Sequence, residues 1–240
     1  MTLAPLAFAL EEDGRYALAE DYAQQALSYN PTDLWALHAL AHVHELQGRA
    51  SEGEAAVNAV AGKLKEFNLF RGHLWWHMSL FLLSQNKIDA VLDVFDREIF
   101  PTPSVFYLDL QNAASVLARL EIQGIDVGDR WDKVAHAAEQ TLGQHLVVFA
   151  GPHQVMALAR TGRKQAVAQA LQGFVDDGNA GMEQAQTGSA VAAAVALYYQ
   201  GSYRAFLNLM RVIRFEAASL GASYAQQDIY FQLMVDAALQ

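Results

Sequence analysis

A short turn recurs along the chain at nearly even spacing, and it limits the fold more than any other feature. Gly14-Arg15, Gln47-Gly48-Arg49, Gln85-Asn86-Lys87, Gln123-Gly124-Ile125, Thr161-Gly162-Arg163 and Gln200-Gly201-Ser202 follow one another every 34 to 39 residues. A period in this range marks paired antiparallel helices that stack on their neighbours. Asn86 fits in glycine's place because asparagine also tolerates the left-handed conformation. The spacing predicts an all-α chain of about six helix pairs.

First helices are expected near residues 32–47, 70–85, 107–123, 152–161, 186–200 and 223–239. Second helices are expected near 15–29, 50–66, 87–98, 129–142, 163–176 and 203–219. On this assignment Pro31, Pro101, Pro103 and Pro152 all fall at helix boundaries, where proline is tolerated. No Ser/Pro/Gly-rich linker divides the 240 residues, so one domain over 1–240 is expected. Each pair leaves an apolar face for its neighbour to cover. That agrees with an apolar fraction of 53% and a charged fraction of only 18%.

Charge and cysteine count narrow the function. Lys and Arg total 16 against 26 Asp and Glu, a net charge of −10, which argues against nucleic acid and against an anionic membrane surface. There is no cysteine, so disulfides, thiolate metal sites and a cysteine nucleophile are excluded. Chemistry must come from the 8 histidines, from carboxylates or from hydroxyls. The long uncharged stretches Gln140–Ala159 and Gln184–Tyr203 carry enough polar residues to read as buried helices rather than spans. The start of the chain lacks a basic signal-peptide region, so a cytoplasmic location is expected.

Residues 14–31 supply the first resemblance. Gly14-x-Tyr16-x-x-Ala19, then Ala26-Leu27, then Asn30-Pro31 resembles the second half of a tetratricopeptide repeat. The resemblance implies a right-handed solenoid whose first helices line a concave groove. With the turn glycine as the fifteenth position, His38, His42 and Glu45 occupy positions 5, 9 and 12, which line that groove in the family. They lie at i, i+4 and i+7, on one helix face. His73 and His77 form a second i, i+4 pair at positions 2 and 6, and His153 takes position 6 two repeats on. Glu121 repeats the position of Glu45. His44 is expected to be structural, His136 to lie on the convex side, and His145 to reach the groove mouth. Trp76 belongs to an aromatic set (Phe70, Trp75, Trp76, Phe81, Trp131) that reads mainly as core, with one ring able to floor a ligand pocket.

A helical His-x-x-x-His is often no more than a satisfied polar pair in a core. Two such pairs on successive first helices, with a glutamate in line, are harder to dismiss. Imidazoles at i, i+4 can share one divalent metal, and neutral imidazole with carboxylate suits Zn, Fe, Mn or Ni. A histidine beside a carboxylate is equally a general acid or base near neutral pH. The sequence leaves both open. It contains no phosphate-binding glycine loop, no Gly-x-Ser-x-Gly elbow and no dinucleotide fingerprint.

A second resemblance is narrower. His38-Ala-Leu-Ala-His42-Val-His-Glu45-Leu-Gln-Gly48-Arg49, His73-Leu-Trp-Trp-His77, Asp93-x-x-Asp96-x-Glu98-Ile99, Leu117-x-Arg119-Leu120-Glu121-x-x-Gly124 with Val127-Gly128-Asp129-Arg130-Trp131, Phe149-x-x-x-His153 and Ala225-Gln226-Gln227-Asp228 resemble the tetratricopeptide-repeat protein 38 family. The resemblance covers roughly residues 14–240. It implies a shortened member or a fragment, because family members usually carry further N-terminal repeats. Leu74 stands where the family has asparagine, and Gln227 where it has arginine.

The main expectation is an enzyme acting on a small molecule in the groove. His38, His42, His73 and His77 would bind a metal or serve as acid/base groups, Glu45 would orient or ligate, and His153 would be a further catalytic group. Trp76, Asp109, Arg119, Glu121, Gln226 and Asp228 would contact substrate. The alternative is a repeat scaffold holding a peptide or protein segment in the same groove. A homodimer is the further partner considered.

Overall fold

The computed structural model describes residues 3–63, 70–143 and 147–240. Among them every regular element is helical. They divide into two compact units, one over Met1–Pro101 and one over Thr102–Gln240.

The first unit holds α1 (Leu3–Glu12), α2 (Tyr16–Tyr29), α3 (Leu34–Leu46), α4 (Ala50–Ala61), α5 (Arg71–Ser84) and α6 (Ile88–Val94), the last continued by a π-helical turn over Phe95–Ile99. Each helix packs on the next, and α3 also packs on both α1 and α5, as successive first helices of stacked pairs must. The second unit holds α7 (Tyr107–Ile122), α8 (Arg130–Glu139), α9 (Ala150–Arg160), α10 (Lys164–Asn179), α11 (Ala185–Tyr199), α12 (Tyr203–Ile213), a 3₁₀ turn (Glu216–Leu220) and α13 (Tyr224–Leu239). There α7, α9 and α11 repeat the first-helix contacts.

The recurring turns are helix stops. Gly48 has φ +67°, its amide donates to Glu45 O at 3.0 Å, and the Arg49 amide donates to His44 O at 2.8 Å. That pattern caps the last carbonyls of α3 in the left-handed way that favours glycine. Asn86 does the same after α5 with φ +57°. Starts are capped too: Asp33 accepts from the Trp35 and Ala36 amides at 3.0 and 3.2 Å, and Ser223 with Gln226 forms a capping box at α13. Inside α4, Gly53 lets the fully buried Phe81 ring of α5 sit on the helix backbone: a Cβ there would stand 2.3 Å from Phe81 Cζ.

Three expectations change. Helix α1 was not anticipated. Pro152 lies inside α9 rather than before it, in the first turn, where a missing amide costs no helical hydrogen bond. The helix expected over 223–239 as the first of a further pair instead packs back across its own unit. From α13, Ala225 O accepts from Arg119 of α7 at 3.1 Å, Tyr230 meets His153 of α9, and Asp236 accepts from Tyr198 of α11. Helix ends also shift: α8 and α12 stop sooner than expected and α10 runs on to Asn179. Residues 64–66, expected to end a helix, lie outside the described residues.

Candidate functional site

The i, i+4 spacing does bring the histidines together. His38 and His42 on α3 meet His73 and His77 on α5, and one ring nitrogen from each lies within 4.8 Å of the others. His42 Nε2 and His38 Nε2 are 2.9 Å apart. Ring centroids are 4.5 Å apart for His42–His77 and 5.0 Å for His73–His77. Aromatic rings wall the cluster. Phe8 of α1 stacks on His38 at 5.1 Å, Phe70 stands edge-on to it at 4.6 Å, and Trp76 lies parallel to His73 at 5.0 Å and 9°.

Burial corrects the expectation of an open groove wall here. The four histidines are only 0–4% exposed. Burial holds His38 well below the ordinary imidazole range, helped by the neighbouring imidazoles, and holds His42 down to about 4 against the pull of Glu12. Both rings are therefore neutral at pH 7, with lone pairs available to a cation.

The carboxylate beside the cluster is not the one expected. Glu45 is half-buried and belongs to neither group of convergent ligand atoms among the described residues. Glu11 of α1, 1% exposed, places Oε2 3.5 Å from His42 Nδ1, and Glu12 completes a second group with them. Burial raises the Glu11 carboxyl to about 7, partly offset by Glu12. The sequence does hold a signal for Glu11: it precedes Gly14 by three residues, as Glu45 precedes Gly48.

The remaining expected residues lie in the second unit, most of them in contact with α13. Arg119, 3% exposed, donates to Ser115 and to Ala225 O, with Asp228 at 3.6 Å. His153 is buried, its Nδ1 3.2 Å from Phe149 O and 3.4 Å from the Tyr230 hydroxyl. Gln226 is occupied in the α13 cap. Arg119, Gln226 and Asp228, expected to meet a substrate, and His153, expected to be catalytic, thus contact or cap the chain's own last helix. Asp109 accepts from Ser104 Oγ at 2.7 Å and burial raises its carboxyl. Glu121 pairs with Arg160 at 2.8 Å. These two acids sit twelve residues apart on α7, roughly 18 Å along its axis, so they do not converge.

Of the other histidines, His44 is buried at 3.8 Å from Glu20, as a packing residue should be, and His136 is exposed beside Gln140. His145 lies outside the described residues.

One surface feature was not anticipated. Helices α12 and α13 enclose a groove of about 1030 Å³. Arg204, Arg211 and Arg214 come from or just follow α12, and Phe231, Met234 and Val235 come from α13. No acidic side chain lines it. Phe231 and Val235 are 46% and 62% exposed. The signal was the spacing Arg204, Arg211, which sets two guanidiniums on one face of α12 at i and i+7, with Arg214 just past its end.

Among the described residues no helix is long and apolar enough to cross a membrane. No solved structure matches the chain. Residues 10–66, from the end of α1 through α4, match the tetratricopeptide-repeat family model, and the stacked helix pairs give an all-α helical-repeat fold.

Proposed function

We propose that the chain is a repeat scaffold that binds an acidic, partly apolar segment of a partner protein in the groove between α12 and α13. Tetratricopeptide repeats generally hold protein or peptide segments, which supports the scaffold reading. The observation that carries the choice of partner is the groove lining. Three arginines flank an exposed apolar strip, without a single acid, in a chain whose net charge is −10. An amphipathic helix with acidic flanks would bury its apolar face on Phe231 and Val235 and set carboxylates against the guanidiniums.

The small-molecule enzyme finds less support. The four clustered imidazoles are sealed, and Arg119 and His153 are engaged with α13. A kinship to the tetratricopeptide-repeat protein 38 family is part of this proposal and rests on the His38–Arg49, His73–His77 and Leu117–Trp131 motifs.

A fluorescent amphipathic peptide of leucine and glutamate tests the groove. It is expected to bind the full chain with an affinity that falls as salt rises. Arg204→Glu combined with Arg211→Glu should weaken it at least about tenfold, while Arg97→Glu, on the first unit's exposed surface, should not. Equal binding of the lysine version of the peptide, or no loss in the double variant, would sink the reading.

A further inference from the structure

The geometry points to a divalent cation site, best matched to Zn²⁺, formed by His38 and His42 of α3 with His73 and His77 of α5. This goes beyond partner binding and does not depend on it.

The first support is convergence. A tetrahedral zinc with nitrogen ligands at about 2.0–2.1 Å sets those nitrogens roughly 3.3 Å apart. His38 Nε2 and His42 Nε2 are already 2.9 Å apart, and one nitrogen from each of the four rings lies within 4.8 Å of the others. The second support is ligand chemistry. Four imidazoles and no thiolate suit a borderline cation rather than Mg²⁺ or Ca²⁺, which take oxygen ligands. The third support is Glu11. A cation held by four neutral rings leaves a charge of about +2 in a buried place. Glu11 lies at its edge, 1% exposed, facing the Nδ1 side of the same His42 ring whose Nε2 faces His38. With Nε2 on the cation, His42 would present Nδ1–H to Glu11, the carboxylate–histidine–metal arrangement that orients a ligand ring and offsets charge.

Four protein ligands leave no open position, which is the pattern of structural rather than catalytic zinc. The cation would tie the first helix of one repeat to the first helix of the next, with α1 supplying the balancing charge. A polar cluster that merely fills space between Phe8, Phe70 and Trp76 would need no such carboxylate.

The test uses full-length protein without a histidine tag. Elemental analysis is expected to find close to one zinc per chain. After EDTA treatment and dialysis, adding ZnSO₄ should restore that ratio and raise the melting temperature by roughly 5–10 °C. Co²⁺ in place of Zn²⁺ should give the intense visible bands of a tetrahedral site, a readout that needs no variant to fold. His42→Asn and His77→Asn should each lose the cobalt bands, and His136→Asn should keep them. A wild-type chain with no stoichiometric metal and no thermal response to Zn²⁺ would overturn the site. So would cobalt bands that survive both cluster variants or are those of an octahedral complex.

Discussion

Replacing Trp76 by alanine is expected to destabilise the first unit by about 3–5 kcal/mol. The indole is 1% exposed, lies flat against His73 and edges onto His77 at 4.7 Å. Its removal deletes apolar area and leaves a cavity beside polar rings, so both transfer and cavity costs apply. Trp76→Phe keeps an aromatic wall and should recover a large part of the loss. Urea unfolding with hydrogen exchange read at α5 separates this from changes elsewhere. Sequence reasoning places Trp76 against a substrate. If that were its role, the variant would keep its stability and lose only binding, and a loss under 1 kcal/mol would favour it.

Acid should destabilise the second unit through His153. Its ordinary value of 6.5 is lowered to about 4 in the fold, first by burial, with Arg119 adding to the effect and the Phe149 carbonyl opposing it. The unfolded chain therefore takes up this proton at a higher pH than the folded one. Stability from this group is complete above about 6.5 and declines as pH falls towards 4. The full span corresponds to about 3 kcal/mol. Comparing wild type with His153→Gln at pH 7 and near pH 4 isolates it from the other buried histidines. The wild type should lose about 3 kcal/mol more than the variant over that interval. Equal losses would mean that His153 accepts a proton without disturbing α13.

The helix pairs were legible because their stops are chemically marked. Each turn needs a left-handed residue, and only glycine or asparagine supplies it cheaply, so Gly48, Asn86, Gly124, Gly162 and Gly201 fix the period. Helix α1 escapes this pattern because it precedes the first such turn, Gly14, and has no marked turn before it among the described residues. With α1 went Glu11, whose place in the repeat matches that of Glu45. The pairing of His38 with His42 and of His73 with His77 was legible from the i, i+4 spacing. Their burial was not, because a histidine on the inner face of a first helix lies in the same register whether that face is open or covered. Likewise, nothing local to residues 223–239 distinguishes a helix that begins another pair from one that folds back across α7, α9 and α11. The difference lies in long-range contacts such as Arg119 to Ala225 O.

That last helix also bears on the proposed function. Its inner side is anchored by Arg119, His153 and Tyr198, and its outer side joins α12 in the basic groove. A partner could therefore dock without displacing it. Hydrogen exchange of the full chain, with and without saturating acidic amphipathic peptide, tests this most directly. The account predicts added protection confined to α12 and α13, with Arg204→Glu plus Arg211→Glu requiring at least about tenfold more peptide to reach it. Protection centred instead on α3 and α5, or loosening of α13 from α7 and α9, would contradict it.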